Sequence, residues 1–340
     1  MNYNINCYIK NIIKQHGPLA IDKFIQITSY YYYNNIDSIG QHHDFVTAPE
    51  ISQMFGEIIA VYLYKIWSQN NQRPFSLVEL GPGNGKMMND ILRTMKNFKD
   101  IYHNIHEVAL VENSAKFKTI QKSALKTFNK LKINWYTTIE NLEGDNFFII
   151  ANEFFDALPI RQFYLEGNDV YEIVISLDTK DNFIYGLSKH ISRLISVKQF
   201  EQKNFIEISE CREYYIEQIS KKILENRGNA IIIDYGYLQL PGISTLQAVK
   251  HQKKINFFEK IGHSDITSLV NFNNIQSILK KRCINSNIMK QSDFLIKYGI
   301  LDRAQMLLHL GMSKEKVHYQ LNKLISRDEM GVLFKVLLTT

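Results

Sequence analysis

The stretch VELGPGNGKMMNDIL, residues 78–92, decides the fold. It begins with a short apolar run, continues through three glycines at alternate positions (Gly81, Gly83 and Gly85), and enters a helical pattern at Lys86. A strand that runs through a glycine-rich turn into a helix is typical of loops that bind nucleotides and related cofactors. The stretch therefore predicts a ligand site.

Three known kinds of glycine-rich loop are candidates for this stretch. A phosphate-binding loop needs a glycine where Leu80 stands and a hydroxyl residue where Met87 stands, so the pattern departs from it twice. The dinucleotide loop G-x-G-x-x-G needs its third glycine at Lys86. The pattern that remains is an acid, Glu79, followed by Gly-x-Gly-x-Gly, which suits S-adenosylmethionine. NAD, and with it a dehydrogenase, is the residual alternative.

Each part of the predicted loop has an expected role toward S-adenosylmethionine. We expect Gly81, Gly83 and Gly85 to clear space for the ligand, because side chains there would collide with it. Glu79 is expected to help hold the ammonium group of the ligand. Glu112 closes the next predicted strand, VALVE, where its carboxylate can accept hydrogen bonds from both ribose hydroxyls.

The pattern around the loop predicts an α/β fold. Apolar runs alternate with helical stretches from about residue 75 to residue 162, which is typical of parallel strands in βαβ units. Residues 161–190 are rich in aromatic and β-branched side chains and contain turn signals, which predicts an inserted antiparallel meander. Before the sheet, Thr47 and Glu50 form a capping box at the start of an amphipathic helix that reaches Trp67.

We accordingly divide the chain into four segments. Residues 1–70 form an N-terminal helical region with a lid loop, and residues 71–163 form the cofactor-binding core. Residues 164–226 form the inserted meander and a helix, and residues 227–340 form the remainder of the core with C-terminal helices and a last strand.

Composition narrows the classes of function. The 340 residues are 45% hydrophobic and 22% charged, as in globular proteins. The net charge of +6 is spread along the chain, which argues against nucleic-acid binding. Cys7, Cys211 and Cys283 lie far apart, which predicts reduced thiols and no metal site. With no signal-peptide pattern and no apolar run of roughly 20 residues, the sequence predicts a cytoplasmic protein without a membrane span.

Several long motifs resemble the MidA family of class I methyltransferases. They follow in order along nearly the whole chain: HDFVTAPEISQMFGE (43–57), VELGPGNG (78–85), ANEFFDALPIRQF (151–163), IDYGY (233–237), STLQAVKHQ (244–252) and GHSDITSLVNF (262–272). The resemblance implies a Rossmann-like class I methyltransferase sheet, S-adenosyl-L-methionine as cofactor and a protein substrate. The chain departs from the family pattern at His43, where glycine is usual, and at Asn271, where aspartate is usual.

The same family includes a mitochondrial complex I assembly factor that methylates an arginine, so the resemblance implies a respiratory-complex subunit as methyl acceptor. A guanidinium group is a poor nucleophile, and carboxylates that pin it favour the reaction. We expect Glu153, Asp156 and Asp234 to serve as such acids, although Asp156 is equally explained as a helix cap. Asn152 lies at the carboxyl edge of the sheet, where ligands of open α/β folds bind.

The stretch before the first capped helix is a hallmark of the family, which favours a lid over the cofactor. Asp44, Thr47 and Glu50 are therefore expected to contribute to the cofactor site, although solvent exposure explains the polar stripe of this helix equally well. A non-catalytic assembly partner that keeps the cofactor fold is the alternative to an enzyme. The insert after Arg161 is either a substrate dock or the surface of a homodimer.

Overall fold

The structure is a computed structural model that describes residues 4–35, 47–70, 72–188 and 195–339. The helices are α1 (Ile5–His16), α2 (Ile21–Asn35), α3 (Ala48–Ile51), α4 (Gln53–Gln69), α5 (Lys86–Met95), α6 (Lys99–His103), α7 (Ala115–Ala124), α8 (Glu210–Asn226), α9 (Phe272–Lys281), α10 (Gln291–Lys297), α11 (Ile300–His309), α12 (Lys314–Ile325) and α13 (Met330–Leu333). Within the described ranges, no helix combines the length and the apolar character that a membrane crossing requires.

The strands are β1 (Leu19–Ala20), β2 (Phe75–Leu80), β3 (Ile105–Val111), β4 (Ile133–Tyr136), β5 (Phe147–Asn152), β6 (Arg161–Glu166), β7 (Asp169–Leu177), β8 (Phe183–Leu187), β9 (Phe205–Ile208), β10 (Gly228–Tyr237), β11 (Gln247–Lys250), β12 (Lys253–Ile255), β13 (Asp265–Thr267), β14 (Val270–Asn271), β15 (Ser286–Lys290) and β16 (Phe334–Thr339). Asn271, where the chain departs from the family pattern, ends β14.

The described chain forms two compact units. The meander unit comprises Met1–Phe45, Asp156–Tyr214 and Tyr237–Asn271, and the sheet unit comprises Val46–Phe155, Tyr215–Gly236 and Phe272–Thr340. Both units are assembled from separated stretches of sequence. The four contiguous segments drawn from the sequence stay a prediction.

The sheet unit is built on strands in the order β15-β16-β10-β5-β2-β3-β4. The run β10-β5-β2-β3-β4 is parallel, and β16 joins it antiparallel to β10. All side chains of β2 and β5 are buried, as expected for strands covered on both faces. The predicted α/β fold with a parallel sheet is confirmed.

The order of the parallel strands reverses beside β2. From β2 the chain proceeds outward to β3 and then β4, whereas β5 and β10 lie on the other side of β2. Open α/β sheets bind ligands at such a switch point, beyond the carboxyl ends of the strands. The glycine-rich loop follows β2 and therefore lies at this position.

The helix predicted to run from Thr47 to Trp67 is interrupted at Ser52. The backbone of Ser52 is extended, and its side chain accepts a hydrogen bond from the Met54 amide at 3.2 Å. A serine side chain that caps the following turn starts a new helix, which explains why α3 and α4 are separate. Periodicity alone does not detect such a break, because the apolar face continues across it.

The predicted meander forms the larger sheet of the meander unit. Strands β6, β7 and β8 pair antiparallel in sequence order, and β9 and β1 extend the sheet. A second sheet, in the order β12-β11-β13, was not predicted. The core of this unit buries the apolar faces of α1 and α2 against both sheets, through Ile9, Phe24, Ile175 and Ile266.

Candidate active site

The glycine loop begins directly after β2. Gly81, Gly83 and Gly85 have φ angles of +63°, +51° and +79°, in the left-handed region that favours glycine. Gly85 is the N-cap of α5, and Lys86 is the first residue of that helix, where its Nζ forms an ion pair with Asp90 at 3.0 Å.

The three glycines face different surroundings. A Cβ added at Gly81 would lie 2.7 Å from Cδ2 of Phe154, and one at Gly85 would lie 3.3 Å from Cα of Gln121. Among the described residues, no heavy atom lies within 4 Å of a Cβ added at Gly83. The expectation that all three glycines clear space for a ligand is therefore refined, since only Gly83 borders open space.

Glu79 lies on β2, two residues before the first glycine, and its side chain is buried. Within the described chain, its Oε2 atom has no hydrogen-bond partner. Burial, together with the nearby charge of Glu112, raises the pKa of Glu79 to about 8. A buried carboxyl group of this kind favours a cationic partner.

Glu112 follows β3 and is held at both carboxylate oxygens. Its Oε1 accepts a hydrogen bond from the Ser114 amide at 2.8 Å, and its Oε2 accepts one from Nε2 of Gln121 at 3.2 Å. Burial raises the pKa of Glu112, and these hydrogen bonds oppose the shift. The carboxylate is thus fixed beside the loop while it keeps further acceptor capacity.

Asn152 ends β5, the strand next to β2. Glu79 pairs with Ile150, so Asn152, two residues further along, lies on the same face of the sheet as Glu79. Among the described residues, its buried Oδ1 atom has no hydrogen-bond partner, like Oε2 of Glu79. Two buried polar atoms that lack a partner are costly unless a ligand supplies one.

These observations fit S-adenosylmethionine. The two acceptors suit the ammonium of its amino-acid end, the space beside Gly83 suits a ligand that passes close to the backbone, and the fixed carboxylate of Glu112 suits a ribose diol. Each of these groups lies in the sheet unit, near the carboxyl ends of neighbouring strands.

Glu153 follows Asn152 and has an unusual backbone. Its φ of +48° lies in the left-handed region, which residues other than glycine seldom adopt. The conformation is held by a hydrogen bond from its amide to the Ile233 carbonyl at 2.9 Å. Its half-buried carboxylate accepts hydrogen bonds at Oε1 from the Ala48 amide (3.1 Å) and from Nδ2 of Asn152 (3.3 Å).

The other two predicted acids differ in their surroundings. Asp234 is completely buried in β10, and its carboxylate accepts hydrogen bonds from the amides of Phe155 (3.0 Å) and Tyr235 (2.9 Å). Asp156 is buried in the meander unit, where its main-chain oxygen accepts hydrogen bonds from Ser268 and Arg212.

The one-turn helix α3 contacts the glycine loop. Oε2 of Glu50 accepts a hydrogen bond from the Thr47 amide (3.2 Å), and Oε1 accepts one from Nδ2 of Asn84 (3.0 Å). Thr47 and Glu50 therefore lie beside predicted cofactor residues. Asp44 and His43 lie outside the described residues. Glu57, on the polar stripe that includes Glu50, is buried and forms ion pairs with two arginines rather than facing solvent.

Three residues that the sequence reasoning missed contact the predicted site. Phe154 packs against Gly81, Asn84 joins the loop to Glu50, and Gln121 joins the loop to Glu112. Asn84 lies inside the glycine-rich stretch 78–92, so the sequence did contain a signal for this residue. Gln121 lies in an ordinary polar helix, where nothing in its spacing distinguishes it.

Curated relatives match the chain over most of its length. It is 29% identical to "Protein arginine methyltransferase NDUFAF7, mitochondrial" of Xenopus tropicalis, over 95% of this chain and 82% of the relative. The Caenorhabditis elegans homologue of that protein is 27% identical, over 96% and 84%. The human protein is 27% identical, over 87% and 73%.

Solved structures share the fold. A protein from Burkholderia thailandensis, crystallised with bound S-adenosyl-homocysteine, superposes with a TM-score of 0.86 at 21% identity and covers 99% of this chain and 91% of its own. A second structure, a high-resolution native crystal structure from the same organism, has a TM-score of 0.84 at 20% identity, with the same shares covered. The predicted class I fold is confirmed.

The predicted cytoplasmic location is wrong. All three relatives above carry the word mitochondrial in their names. The prediction rested on scattered cysteines and on the lack of a recognisable targeting pattern. Neither feature ties a protein to one compartment on physical grounds, and the location named for the relatives therefore takes precedence.

The assignment of the chain follows from its match to a family model. Methyltransf_28, which describes S-adenosyl-L-methionine-dependent methyltransferases, matches residues 58–288, more than half of the sequence. The match includes the glycine loop, Glu112 and the turn after β5. The chain belongs to this family of S-adenosyl-L-methionine-dependent methyltransferases.

Proposed function

We propose that this methyltransferase modifies an arginine side chain of a protein, and that Glu153 orients the guanidinium group. The relatives from frog, worm and human are named protein arginine methyltransferases, and they align with most of the chain. Their names support an arginine acceptor.

The chemistry explains why a carboxylate is needed. The guanidinium group has a pKa above about 12 and delocalises its charge, so its nitrogens are weak nucleophiles. A carboxylate that accepts hydrogen bonds from it holds the acceptor nitrogen in line and localises the charge on the other nitrogens. Such positioning supplies much of the rate enhancement in a displacement reaction. The cofactor, when bound, supplies the electrophilic methyl group.

The observation that carries the proposal is the backbone of Glu153. A residue other than glycine at φ +48° stores strain, and such strain concentrates at active sites because the surrounding structure must hold it. The Ile233 carbonyl and the Ala48 amide hold Glu153 at its main chain and its side chain. The carboxylate is thus positioned before a substrate binds.

We assign the cofactor to the loop residues. Glu79 and Asn152 are proposed to accept hydrogen bonds from the ammonium of S-adenosylmethionine, and Glu112 from its ribose. Gly83 borders the ligand, whereas Gly81 and Gly85 give the loop its shape. Thr47 and Glu50 support the loop from α3, and Asp44 stays a predicted lid residue.

We assign Asp234 a less direct role than Glu153 and keep Asp156 in the role predicted from the sequence. Asp234 accepts hydrogen bonds from two backbone amides, which supports a role in holding the turn that carries Glu153. Asp156 follows Glu153 by three residues, and we retain it as a predicted substrate-orienting acid.

A methylation assay tests the role of Glu153. Wild-type protein and Glu153→Gln are incubated with labelled S-adenosylmethionine and extract from cells that lack the protein, and labelled sites are identified by mass spectrometry. We expect methylarginine with the wild type, and a loss of about 100-fold or more in turnover with the variant, as is usual when a transition-state contact is removed.

Binding of S-adenosyl-homocysteine to the same variant is the control. We expect affinity within about threefold of wild type, because Gln keeps the shape and an acceptor oxygen. Retained turnover would remove Glu153 from the site. Label on another residue type would reject arginine as the acceptor.

Two finer predictions concern partners. A subunit of a complex I-type respiratory assembly is the predicted methyl acceptor, and the same mass spectrometry would identify it. The second prediction is that the chain forms a homodimer, and light scattering of the purified protein would test it.

A further inference from the structure

Gln121 occupies a central position in the sheet unit. It lies on α7 with no solvent-exposed surface. Its Nε2 donates to the carbonyl of Gly83 at 2.7 Å and to Oε2 of Glu112 at 3.2 Å, while its Oε1 accepts from the indole of Trp135 at 2.8 Å. The side-chain amide therefore has both hydrogens and its oxygen engaged.

The two groups that accept from Nε2 lie in different parts of the predicted cofactor site, the glycine loop and the end of β3. Gly83 is the glycine that borders open space, and Glu112 is the acid proposed for the ribose. The same amide holds both, so it links the loop to the carboxylate, in addition to the hydrogen bond from the Gly81 amide to the Val111 carbonyl at 3.1 Å. An indole N–H can only donate, so the atom of the amide that faces Trp135 is the oxygen, and Nε2 faces Gly83 and Glu112.

The main chain of Gln121 also limits the loop. A Cβ at Gly85 would lie only 3.3 Å from Cα of Gln121, so α7 packs closely against the turn that starts α5. The position of α7 therefore constrains Gly85, and the side-chain amide of Gln121 constrains Gly83.

We propose that Gln121 is a positioning residue for cofactor binding: it sets the carboxylate of Glu112 and the Gly83 carbonyl in the arrangement that receives the adenosine end of S-adenosylmethionine. This inference rests on the proposed role of Glu112. It is independent of the methyl acceptor, because it concerns only the cofactor half of the reaction. Gln121 itself acts through Glu112 and the loop and needs no contact with the ligand.

Calorimetry with S-adenosyl-homocysteine tests the proposal on the whole chain. Gln121→Met keeps an unbranched side chain of similar length and removes every hydrogen bond of the amide. We expect its affinity to fall about 10- to 100-fold, the range for loss of a hydrogen bond to a charged group. The Michaelis constant for S-adenosylmethionine should rise correspondingly, with kcat at saturation within about threefold of wild type.

A double-mutant cycle distinguishes positioning from general stability. Glu112→Ala alone should weaken binding, and adding Gln121→Met to it should weaken binding by clearly less than Gln121→Met does in the wild-type background, because only the contact to the Gly83 carbonyl is then left to lose. Additive losses would overturn the proposal. So would unchanged affinity in Glu112→Ala, a result that leaves the arginine proposal untouched.

Two further variants keep the test decisive. Trp135→Phe removes the indole donor and leaves the two Nε2 contacts, so it should lower the melting temperature and change the affinity by less than about threefold. If Gln121→Met fails to fold, Gln121→Leu removes the same hydrogen bonds with a shorter apolar side chain. It should show the same loss of affinity, and wild-type affinity in it would overturn the proposal.

Discussion

Gly81, Gly83 and Gly85 share a left-handed backbone, but they differ in what surrounds them. Phe154 closes the space at Gly81, and the backbone of Gln121 closes it at Gly85. No residue that the structure describes has a heavy atom within 4 Å of a Cβ placed at Gly83. One sequence motif therefore combines two glycines required by packing with one that borders the ligand.

Alanine substitutions separate these requirements. Gly83→Ala should fold with a loss of about 1 kcal/mol, the cost of a left-handed backbone in alanine, and should weaken S-adenosyl-homocysteine binding about 10- to 100-fold by overlap with the ligand. Gly81→Ala should lower the melting temperature more than Gly83→Ala, because its Cβ overlaps Phe154. Thermal unfolding and calorimetry measure the two effects.

Gly167 provides a matched control in the turn between β6 and β7. Its φ is +62°, and an added Cβ meets nothing within 4 Å. Gly167→Ala should show the stability loss of Gly83→Ala without the loss of affinity. Equal affinity in all three alanine variants would mean that the ligand does not approach Gly83.

Residue spacing predicted part of the candidate site. The acid, the glycines and Glu112 follow one another along a strand-turn-helix-strand path, so their order in sequence reflects their order in space. Gln121 reaches the site from the buried side of a helix, and Phe154 reaches it from the turn that follows β5. Such contacts depend on packing between elements, which no spacing in a single segment encodes.

At the scale of elements, α3 joins two parts of the sheet unit. Glu50 accepts hydrogen bonds from Thr47 and Asn84, and the Ala48 amide donates to Glu153. The break at Ser52 separates this single turn from α4, so α3 depends on these contacts together with the burial of Ala48 and Pro49. A short helix held in this way should open before the elements around it.

Hydrogen exchange tests this dependence. Glu50→Ala removes the capping contact and the link to Asn84, a loss of about 1 kcal/mol, so amides in residues 48–52 should exchange about fivefold faster. The amides of β2 and β5 should keep their protection. Exchange followed by mass spectrometry resolves these segments.

Gln53→Ala serves as the control for this element. It removes a polar side chain three residues further along and leaves the contacts to Thr47 and Asn84 in place. Its exchange in residues 48–52 should match wild type. If Glu50→Ala also matches wild type, these hydrogen bonds do not hold α3.

Elements with a strong pattern were predicted well. The buried strands β2, β3, β5 and β10 and the meander strands have long apolar or alternating runs. Short strands such as β1, with two residues, and β11 to β13 carry too few residues to show a period. In addition, β1 forms only with a partner distant in sequence, through the pairing of Leu19 with Ile175.

At the scale of the whole molecule, the two units alternate along the chain. The meander unit draws on three separated stretches and the sheet unit on three others. A division by sequence pattern groups residues that are neighbours along the chain. It cannot foresee that α1 and α2 share a core with strands more than a hundred residues later, because that choice depends on long-range burial.

The buried carboxyl group of Glu79 affects the stability of the molecule as a whole. Its pKa of about 8 in the folded protein exceeds the ordinary value of 4.5, so the folded state retains a proton that the unfolded state has lost between these pH values. Its contribution to stability is therefore fully present below about pH 4.5 and is lost as the pH rises toward 8.

Glu79→Gln should remove this dependence. The free energy of unfolding of wild type, relative to the variant, should fall by roughly 2 kcal/mol between pH 5 and pH 7. Denaturant unfolding without cofactor at several pH values measures it. Glu166→Gln, at an exposed carboxylate in the meander unit, serves as the control. Its free energy of unfolding should change with pH in the same way as that of wild type. A constant difference between wild type and Glu79→Gln would contradict a buried neutral acid.

The hydrogen bond between Trp135 and Gln121 has an optical consequence. The chain has two tryptophans, and Trp67 donates to the Arg73 carbonyl within its own segment of the sheet unit. Trp135 is joined through one amide to the carboxylate proposed for the ribose. With Trp67 replaced by phenylalanine, the emission of the remaining indole becomes an intrinsic, label-free reporter of how the cofactor site is filled.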